Sequence, residues 1–94
     1  MFARVLKQMK ENIRTRQYVM TIHAEEEKDA DHLNIYDIEH CILSGKIVER
    51  QKEVETAEWK YRIAGKSCSG VNMELIGKIS PTGKLVIITV YIIK

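Results

Sequence analysis

The stretch Lys84-Leu-Val-Ile-Ile-Thr-Val-Tyr-Ile-Ile-Lys94 decides the fold, because nearly all of its residues are β-branched or aromatic. Such side chains favour strands, since they pack well on a pleated surface. Apolar residues at both parities predict a strand buried on both faces in the middle of a sheet. The exceptions, Thr89 and Tyr91, are two positions apart and leave the same face. They are either hydroxyls satisfied inside the sheet or part of the floor of a site.

Three further strands are predicted just before this one, over Lys46–Gln51, Glu58–Ile63 and Val71–Ile79. The second and third alternate apolar and polar residues, which is the period of a strand with one buried face. Ser80-Pro-Thr-Gly83 places Pro and Gly as a tight turn requires. Consecutive strands joined by short turns pair antiparallel, so this half of the chain predicts an antiparallel sheet.

The first half of the chain is mostly helical in its periodicity. An amphipathic helix is predicted over residues 2–14, followed by a short strand at Tyr18–Ile22 and a polar helix at His23–Asp31. A third helix is predicted over Ile35–Leu43, with Asn34 as its N-cap. The order α-β-α-α-β-β-β-β predicts an α+β fold, in which the N-terminal helices pack on one face of a small antiparallel sheet.

The composition indicates one globular domain over residues 1–94. The 94 residues are 45% hydrophobic and 30% charged, which is typical of a folded chain and not of a disordered one. No apolar run is long enough to cross a bilayer, and the first ten residues lack the apolar core of a secretory signal. Cys41 and Cys68 form no CxxC pair. We therefore expect a cytoplasmic protein without membrane association; the net charge of +2 is too small to indicate a nucleic-acid partner.

The sheet face that the helices leave open is predicted to be polar. Lys60 and Arg62 lie two apart on one strand face, where their cations are suited to holding phosphate. The alternative is a solvated face on which they pair with Glu58 or Glu74. Lys66, in the turn that follows, offers a further phosphate contact or is simply solvated. The same face is expected to carry Asn72, Glu74, Lys78, Thr89 and Tyr91.

His23 is the candidate acid or base. It stands at the junction between a predicted strand and the polar helix, and loops of this kind often carry site residues. RNA cleavage without metal needs a base for the 2′-OH, an acid for the leaving oxygen and cations for the phosphate charge. Histidine suits acid–base work near neutral pH, and Thr89 and Tyr91 are placed to orient or protonate a substrate. The alternative is a structural histidine that hydrogen-bonds to the backbone or caps the acidic helix.

Other chemistries are less well supported by the sequence. His32, His40 and Cys41 are close together in the chain but lack the spacing of a structural zinc site, so we predict no metal site. Cys41 falls on an apolar helix face and is expected in the core, whereas Cys68 lies in an exposed turn with no histidine to activate it. Trp59 and Tyr61 share the parity of the core, which favours packing over base stacking.

Several short motifs, taken in order, resemble a family of small bacterial proteins known as a domain of unknown function. The resemblance spans residues 18–92 and leaves the first helix outside. Glu27 departs from the pattern, because many members carry arginine four residues after the histidine. The motifs stand here as His23-Ala24, Asp37–Glu39 leading to Gly45-Lys-Ile-Val-Glu49, Tyr61-Arg-Ile-Ala-Gly65 and Val86-Ile-Ile-Thr-Val-Tyr91.

The family is similar to the RelE-like and MqsR-like toxins, small ribonucleases of BECR-type architecture. The resemblance implies a metal-independent endoribonuclease that needs no cofactor and uses the open sheet face. It also implies two partners: RNA, on the ribosome or free, and a small zinc-finger antitoxin that covers that face. The alternative is a protein-interaction module of the same fold without catalysis, dimerising through a sheet edge; the missing arginine at Glu27 favours it.

Overall fold

A computed structural model describes residues 2–93, in which helices and strands follow one another in the order that the sequence predicts. The α+β class and the N-terminal position of the helices are confirmed. The helices are α1 (Ala3–Arg14), α2 (Ile22–Ala30) and α3 (Ile35–Ser44). The strands are β1 (Tyr18–Met20), β2 (Lys46–Lys52), β3 (Trp59–Lys66), β4 (Asn72–Ile79) and β5 (Leu85–Ile92).

The five strands form one mixed sheet in the order β1-β5-β4-β3-β2. Strands β2 to β5 pair antiparallel with their neighbours, as predicted. β1 departs from the prediction of an antiparallel sheet, because it pairs parallel with β5, with Tyr18 opposite Leu85 and Met20 opposite Ile87. Turn chemistry predicts the pairing of consecutive strands only, and these two strands are separated by the rest of the chain.

β5 is buried on one face, not on both as its sequence predicts. Leu85, Ile87 and Val90 are fully buried, whereas Thr89 and Tyr91 are half-buried on the other side. The helices cover only one face of the sheet, so the second face of β5 stays open. The pairing of β5 with β4 is irregular between Ile76 and Gly77. The buried positions of β5 therefore change from odd numbers, Leu85 and Ile87, to an even number, Val90.

The core lies between the helices and the covered face of the sheet. Cys41, predicted as a core residue, is fully buried on α3, which packs closely on β3. The close approach requires glycine at position 65, because a Cβ there would stand 2.1 Å from the carbonyl oxygen of Cys41. The buried apolar residues are Met9, Ile13, Ala24, Ile38, Cys41, Ile42, Tyr61, Ile63, Met73, Leu75, Leu85, Ile87 and Val90.

α1 is fixed to the sheet by a buried polar residue, Asn12, that periodicity alone does not identify. Its Nδ2 donates to the carbonyl oxygens of Gln17 and Gly83, each at 2.8 Å, and its Oδ1 accepts from Gln8 at 2.8 Å. These bonds join the end of α1 to the turn between β4 and β5. None of the helices within residues 2–93 is long and apolar enough to cross a membrane.

The two aromatic residues of β3 differ in burial, although both were predicted in the core. Tyr61 is 8% exposed and contacts Phe2 edge to face, whereas Trp59 is 39% exposed. The guanidinium of Arg50 on β2 lies 4.1 Å above the Trp59 ring. Trp59 is the first residue of β3, and its ring is covered in part by this cation, so it shares the face of the core without being buried in it.

Candidate functional site

The open face of the sheet brings polar side chains from β3, β4 and β5 into neighbouring rows. In one row Arg62 lies opposite Ile76, which lies opposite Thr89. In the next row Ala64 lies opposite Glu74, which lies opposite Tyr91. Side chains on one face of adjacent strands contact both their direct and their diagonal neighbours, so Arg62, Glu74 and Tyr91 can meet.

Arg62, Glu74 and Tyr91 form a hydrogen-bonded group at the centre of this face. Nη1 of Arg62 donates to Oε1 and Oε2 of Glu74 at 3.0 and 3.1 Å. The Tyr91 hydroxyl donates to the same Oε1 at 2.5 Å. Nε of Arg62 also lies 3.5 Å from a carboxylate oxygen of Glu49 on β2. We call Arg62, Glu74 and Tyr91 the face triad.

The face triad holds its members in defined protonation states. The hydrogen bond from Tyr91, together with those from Arg62, lowers the pKa of Glu74 despite its partial desolvation. The same hydrogen bond, and then desolvation, raises the pKa of Tyr91. The hydrogen bonds to Glu74 raise the pKa of Arg62. Near neutral pH the group therefore consists of a guanidinium, a carboxylate and a neutral phenol.

Beyond the end of β1, Thr21 and residues of α2 form the hydrogen bonds to the outer edge of β5. Thr21, the N-cap of α2, donates its N–H to the carbonyl of Ile87 at 3.0 Å and its hydroxyl to that of Ile88 at 3.0 Å. Beyond this point Oε1 of Glu27 accepts the N–H of Val90 at 3.1 Å. The same oxygen of Glu27 lies 3.2 Å from Nε2 of His23.

These contacts connect His23, through Glu27, to the outer edge of β5. Ala24 is fully buried under the sheet, and Glu27 reaches the strand edge. Successive residues of a helix are about 100° apart around its axis. Viewed along the axis of α2, the side chain of Glu27 is therefore about 60° from that of Ala24, and the side chain of His23 is about 100° from it in the same direction. His23 therefore follows Glu27 past the strand edge, towards the side of the open face. Its side chain is 66% exposed.

The remaining predicted phosphate ligands lie at the two ends of the open face. Lys60 lies one row before Arg62 and is 3.4 Å from a carboxylate oxygen of Glu53. Lys66 ends β3 two rows beyond Arg62, is exposed, and pairs in register with Asn72. The structure thus joins Arg62 to Tyr91 through Glu74 and places Thr89 in the row of Arg62, with Lys60 and Lys66 on either side. His23 is connected to the edge of β5 through Glu27 and contacts none of them directly.

Two carboxylates of this region, Glu74 and Glu27, do more than the sequence predicts. The pairing of Arg62 with Glu74, one of the alternatives that the sequence offers, is present in the structure. Alternation places Glu74 on the open face, but only the register of three strands shows that it joins Arg62 to Tyr91. Glu27 was interpreted as a departure from the family pattern, whereas it supports His23 and closes the edge of β5. The spacing of four residues between His23 and Glu27 on a helix was the available signal.

The exposed thiol is not activated. The Sγ of Cys68 lies 3.4 Å from the carbonyl oxygen of Tyr36, and its backbone N–H bonds to Asp37. Partial desolvation and the charge of Asp37 raise the pKa of Cys68, so it stays a thiol near neutral pH. Within residues 2–93, no three His, Cys, Asp or Glu side chains are grouped so that they could hold a metal ion.

One protein-family model matches the chain over residues 20–92, that of the family described as "Domain of unknown function (DUF4258)". The match runs from the end of β1 to the end of β5, so it includes His23 and the face triad and omits α1. Neither the curated proteins nor the solved structures gave a match.

Proposed function

Because the chain belongs to this family of unknown function, its activity has to be argued from its own residues, and we propose that it is a toxin-type endoribonuclease acting without metal. The observation that supports the proposal is the position of the His23–Glu27 pair at the margin of a sheet face that carries Arg62 and Tyr91. A base, a neutral phenol and a guanidinium are the groups that cleavage by 2′-OH attack requires. We further propose that the fold is related to the RelE-like and MqsR-like toxins.

In the proposed reaction His23 is the general base. Nε2 of His23 lies 3.2 Å from a carboxylate oxygen of Glu27, so in the proposed tautomer Nε2 carries the proton and Nδ1 has the lone pair that takes the 2′-OH proton. Glu27 is held in turn by the N–H of Val90, so the imidazole is oriented by the sheet itself. The 2′-oxygen then bonds to phosphorus, and the bond from phosphorus to the 5′-oxygen breaks.

Arg62 and Tyr91 serve the phosphate and the leaving oxygen. Arg62 bonds to Glu74 through Nη1 and approaches Glu49 through Nε, so Nη2 is the group that meets a phosphate oxygen. Tyr91 gives its proton to the departing 5′-oxygen and regains one from the His23 imidazolium through solvent. The products are a 2′,3′-cyclic phosphate and a 5′-hydroxyl. Thr89, in the same row as Arg62, orients the substrate.

The same proposal assigns partners and location. Lys60 and Lys66 extend the path of phosphate contacts at the two ends of the face. RNA, either free or on the ribosome, is the substrate, which places the protein in the cytoplasm. A small antitoxin of zinc-finger type would inhibit it by covering the open face.

A second candidate function is a non-catalytic protein-interaction module of the same fold. The observation that favours it is the neutralisation of the cations on the open face. Arg62 pairs with Glu74 and Glu49, and Lys60 pairs with Glu53. Such a face suits a partner protein, or a second copy joined through the outer edge of β2, better than a polyanion.

The test is cleavage of a short oligoribonucleotide by the purified chain in EDTA, with the cyclic phosphate as the product measured. We expect His23→Ala to lower the rate by about 10²-fold or more, the usual contribution of an acid–base group, and Arg62→Ala to lower it as well. The matched control is His32→Asn, because His32 is exposed and its φ of 57° suits asparagine. Its rate should equal that of the wild type.

Growth and total RNA after induction in bacteria provide the second readout. Arrest by the wild type but not by folded His23→Ala protein supports the enzyme. If the wild type leaves both oligonucleotide and ribosomes intact, catalysis is rejected. The interaction module is then tested by its oligomeric state and by its binding to a partner through the open face.

A further inference from the structure

The positive charge of the chain is concentrated in its first helix. Residues 2–17 contain five cations and one acid, Glu11. The rest of the chain contains ten cations and twelve acids, so it is net negative. The cations of this segment are Arg4, Lys7, Lys10, Arg14 and Arg16.

Four of these cations lie on one side of α1. At about 100° per residue, positions 4, 7, 10 and 14 fall within about 120° of the helix circumference. Met9 and Ile13 occupy the opposite side and are buried in the core, together with the half-buried Phe2 and Val5. We call the side that carries Arg4, Lys7, Lys10 and Arg14 the basic face.

The basic face differs from the open sheet face in that its cations are mostly free. Among residues 2–93, no carboxylate oxygen lies within 4.0 Å of a side-chain nitrogen of Arg4, Lys7 or Lys10. Arg14 approaches Glu11 at 3.7 Å, and both side chains are more than half exposed. Such a surface pair contributes little and is easily exchanged for another anion.

We propose that the basic face binds the phosphate backbone of RNA. The identity of the polyanion rests on the proposed function, whereas the charge and the geometry are those of α1 itself. From Arg4 to Arg14 the face is about 15 Å long, at about 1.5 Å per residue, which spans several phosphates. Binding of this kind is sequence-independent and releases counterions, so it adds affinity without specificity.

A lipid surface is a poorer match for this helix. Amphipathic helices bind membranes by inserting an apolar face beside their cations. The apolar face of α1 is already committed, because Met9 and Ile13 are buried and Phe2 and Val5 pack against the core. Only the cations of α1 are therefore available to bind a partner, and the regularly spaced phosphates of an RNA backbone can pair with them.

The position of α1 predicts which RNAs use the basic face. α1 packs on the helical side of the sheet, and the candidate site lies on the other side. A short oligonucleotide can fill the site without reaching α1, whereas a long folded RNA can contact both. The basic face also lies outside the residues that match the family, so it adds an RNA anchor to the family domain.

The experiment compares two double variants that change the net charge equally. Arg4→Glu/Lys7→Glu removes half of the basic face and places acids near the helix N-terminus, where the dipole favours them. Lys52→Glu/Lys84→Glu is the control, since both lysines are exposed and lie outside α1. Binding to ribosomal RNA is measured in EDTA as a function of salt. We expect the basic-face variant to bind about tenfold more weakly, with a salt slope smaller by about 2, and the control to bind like the wild type.

Three outcomes would overturn the proposal. One is an equal loss of affinity in both variants, which reduces the effect to net charge. Another is an unchanged salt slope in the basic-face variant. The third is capture of the wild type, but not of this variant, by phosphatidylserine vesicles, which assigns the face to lipid. Cleavage of a short oligonucleotide separates this proposal from the proposed function, because the basic-face variant should cleave it at the wild-type rate. A wild-type chain that cleaves neither the oligonucleotide nor ribosomes rejects the enzyme and leaves the binding result standing.

Discussion

Glu27 on α2 accepts the backbone N–H of Val90 on β5 at 3.1 Å, although the two residues are 63 positions apart in the chain. β1 ends at Met20, so this N–H faces the outer edge of β5 where no strand continues. The carboxylate of Glu27 therefore accepts the hydrogen bond that a further residue of β1 would otherwise accept. Because the same oxygen contacts His23, the end of the sheet and the orientation of the candidate base depend on one side chain.

Substitution of Glu27 should separate these two roles. Glu27→Ala leaves the N–H of Val90 without its partner, and we expect the free energy of unfolding to fall by about 1–3 kcal/mol. Glu27→Gln retains an amide oxygen that accepts the same bond, so it should be clearly more stable than Glu27→Ala. Both variants lack the carboxylate beside His23 and should lose RNA cleavage. Urea denaturation and the oligonucleotide assay measure the two effects; equal stability of the Gln and Ala variants would contradict the role at the strand edge.

The face triad should make stability depend on pH at both ends of the range. The pKa of Glu74 is lowered by Tyr91 and Arg62, so its contribution is present above the pKa of an unfolded glutamate and is lost as the pH falls through its folded pKa. The pKa of Tyr91 is raised, so its contribution is present below about 10, the pKa of an unfolded tyrosine, and is lost as the pH rises through its folded pKa.

Tyr91→Phe tests this dependence directly. We expect it to lower the free energy of unfolding at neutral pH by about 1–2 kcal/mol, because it removes a hydrogen bond to a carboxylate. The difference from the wild type should shrink in acid, where Glu74 is protonated, and in alkali. Tyr36→Phe is the control, since Tyr36 is 64% exposed. A difference between wild type and Tyr91→Phe that stays constant from acid to alkali would show that the contribution of the hydroxyl does not depend on the charge of Glu74.

Local sequence signals were sufficient for the element order and for the helix starts. Asn34 caps α3 as predicted and forms a reciprocal capping box with Asp37, and Thr21, near the end of the predicted strand, caps α2. The change in the spacing of apolar residues, from helical to alternating, also predicted correctly that the strands begin after α3. These signals are local because they depend on residues within one turn of helix or one strand.

The features that sequence could not provide all depend on contacts between distant segments. No short turn joins β1 to β5, so no local sequence signal predicts their parallel pairing. Gly45 ends α3 with an extended backbone, at a φ of −98°, and its small size is needed because the carbonyl oxygens of Cys41 and Ala64 approach it closely. For the candidate site, alternation placed Arg62 and Tyr91 on one face. The sequence also offered Glu74 as a partner of Arg62, but only the strand register shows that Glu74 bonds to Tyr91 as well.

Asn12 should be one of the most sensitive polar positions. Asn12→Leu has nearly the same size but leaves the carbonyl oxygens of Gln17 and Gly83 without the donor they share. We expect the free energy of unfolding to fall by about 1–2 kcal/mol, because two hydrogen bonds from a buried amide are lost, although the Gln17 carbonyl still accepts the N–H of Leu85. Gln8→Ala is the control, because Gln8 is exposed and donates only to Asn12. If urea denaturation gives the two variants equal stability, the bonds to the turn between β4 and β5 do not hold α1 in place.

Gly65 tests whether the close packing of α3 on β3 is needed for the fold. A Cβ at this position would stand 2.1 Å from the carbonyl oxygen of Cys41, a backbone atom that cannot move without its helix. We expect Gly65→Ala to lower the free energy of unfolding by about 3 kcal/mol, at the upper end of the cost of overpacking. Gly70→Ala is the control: it has a φ of 87° but no atom within 4 Å of the added Cβ, so it carries backbone strain of about 1 kcal/mol without a clash. If both variants lose the same stability, the helix moves freely on the strand, and the distance between Cys41 and Gly65 does not constrain the core.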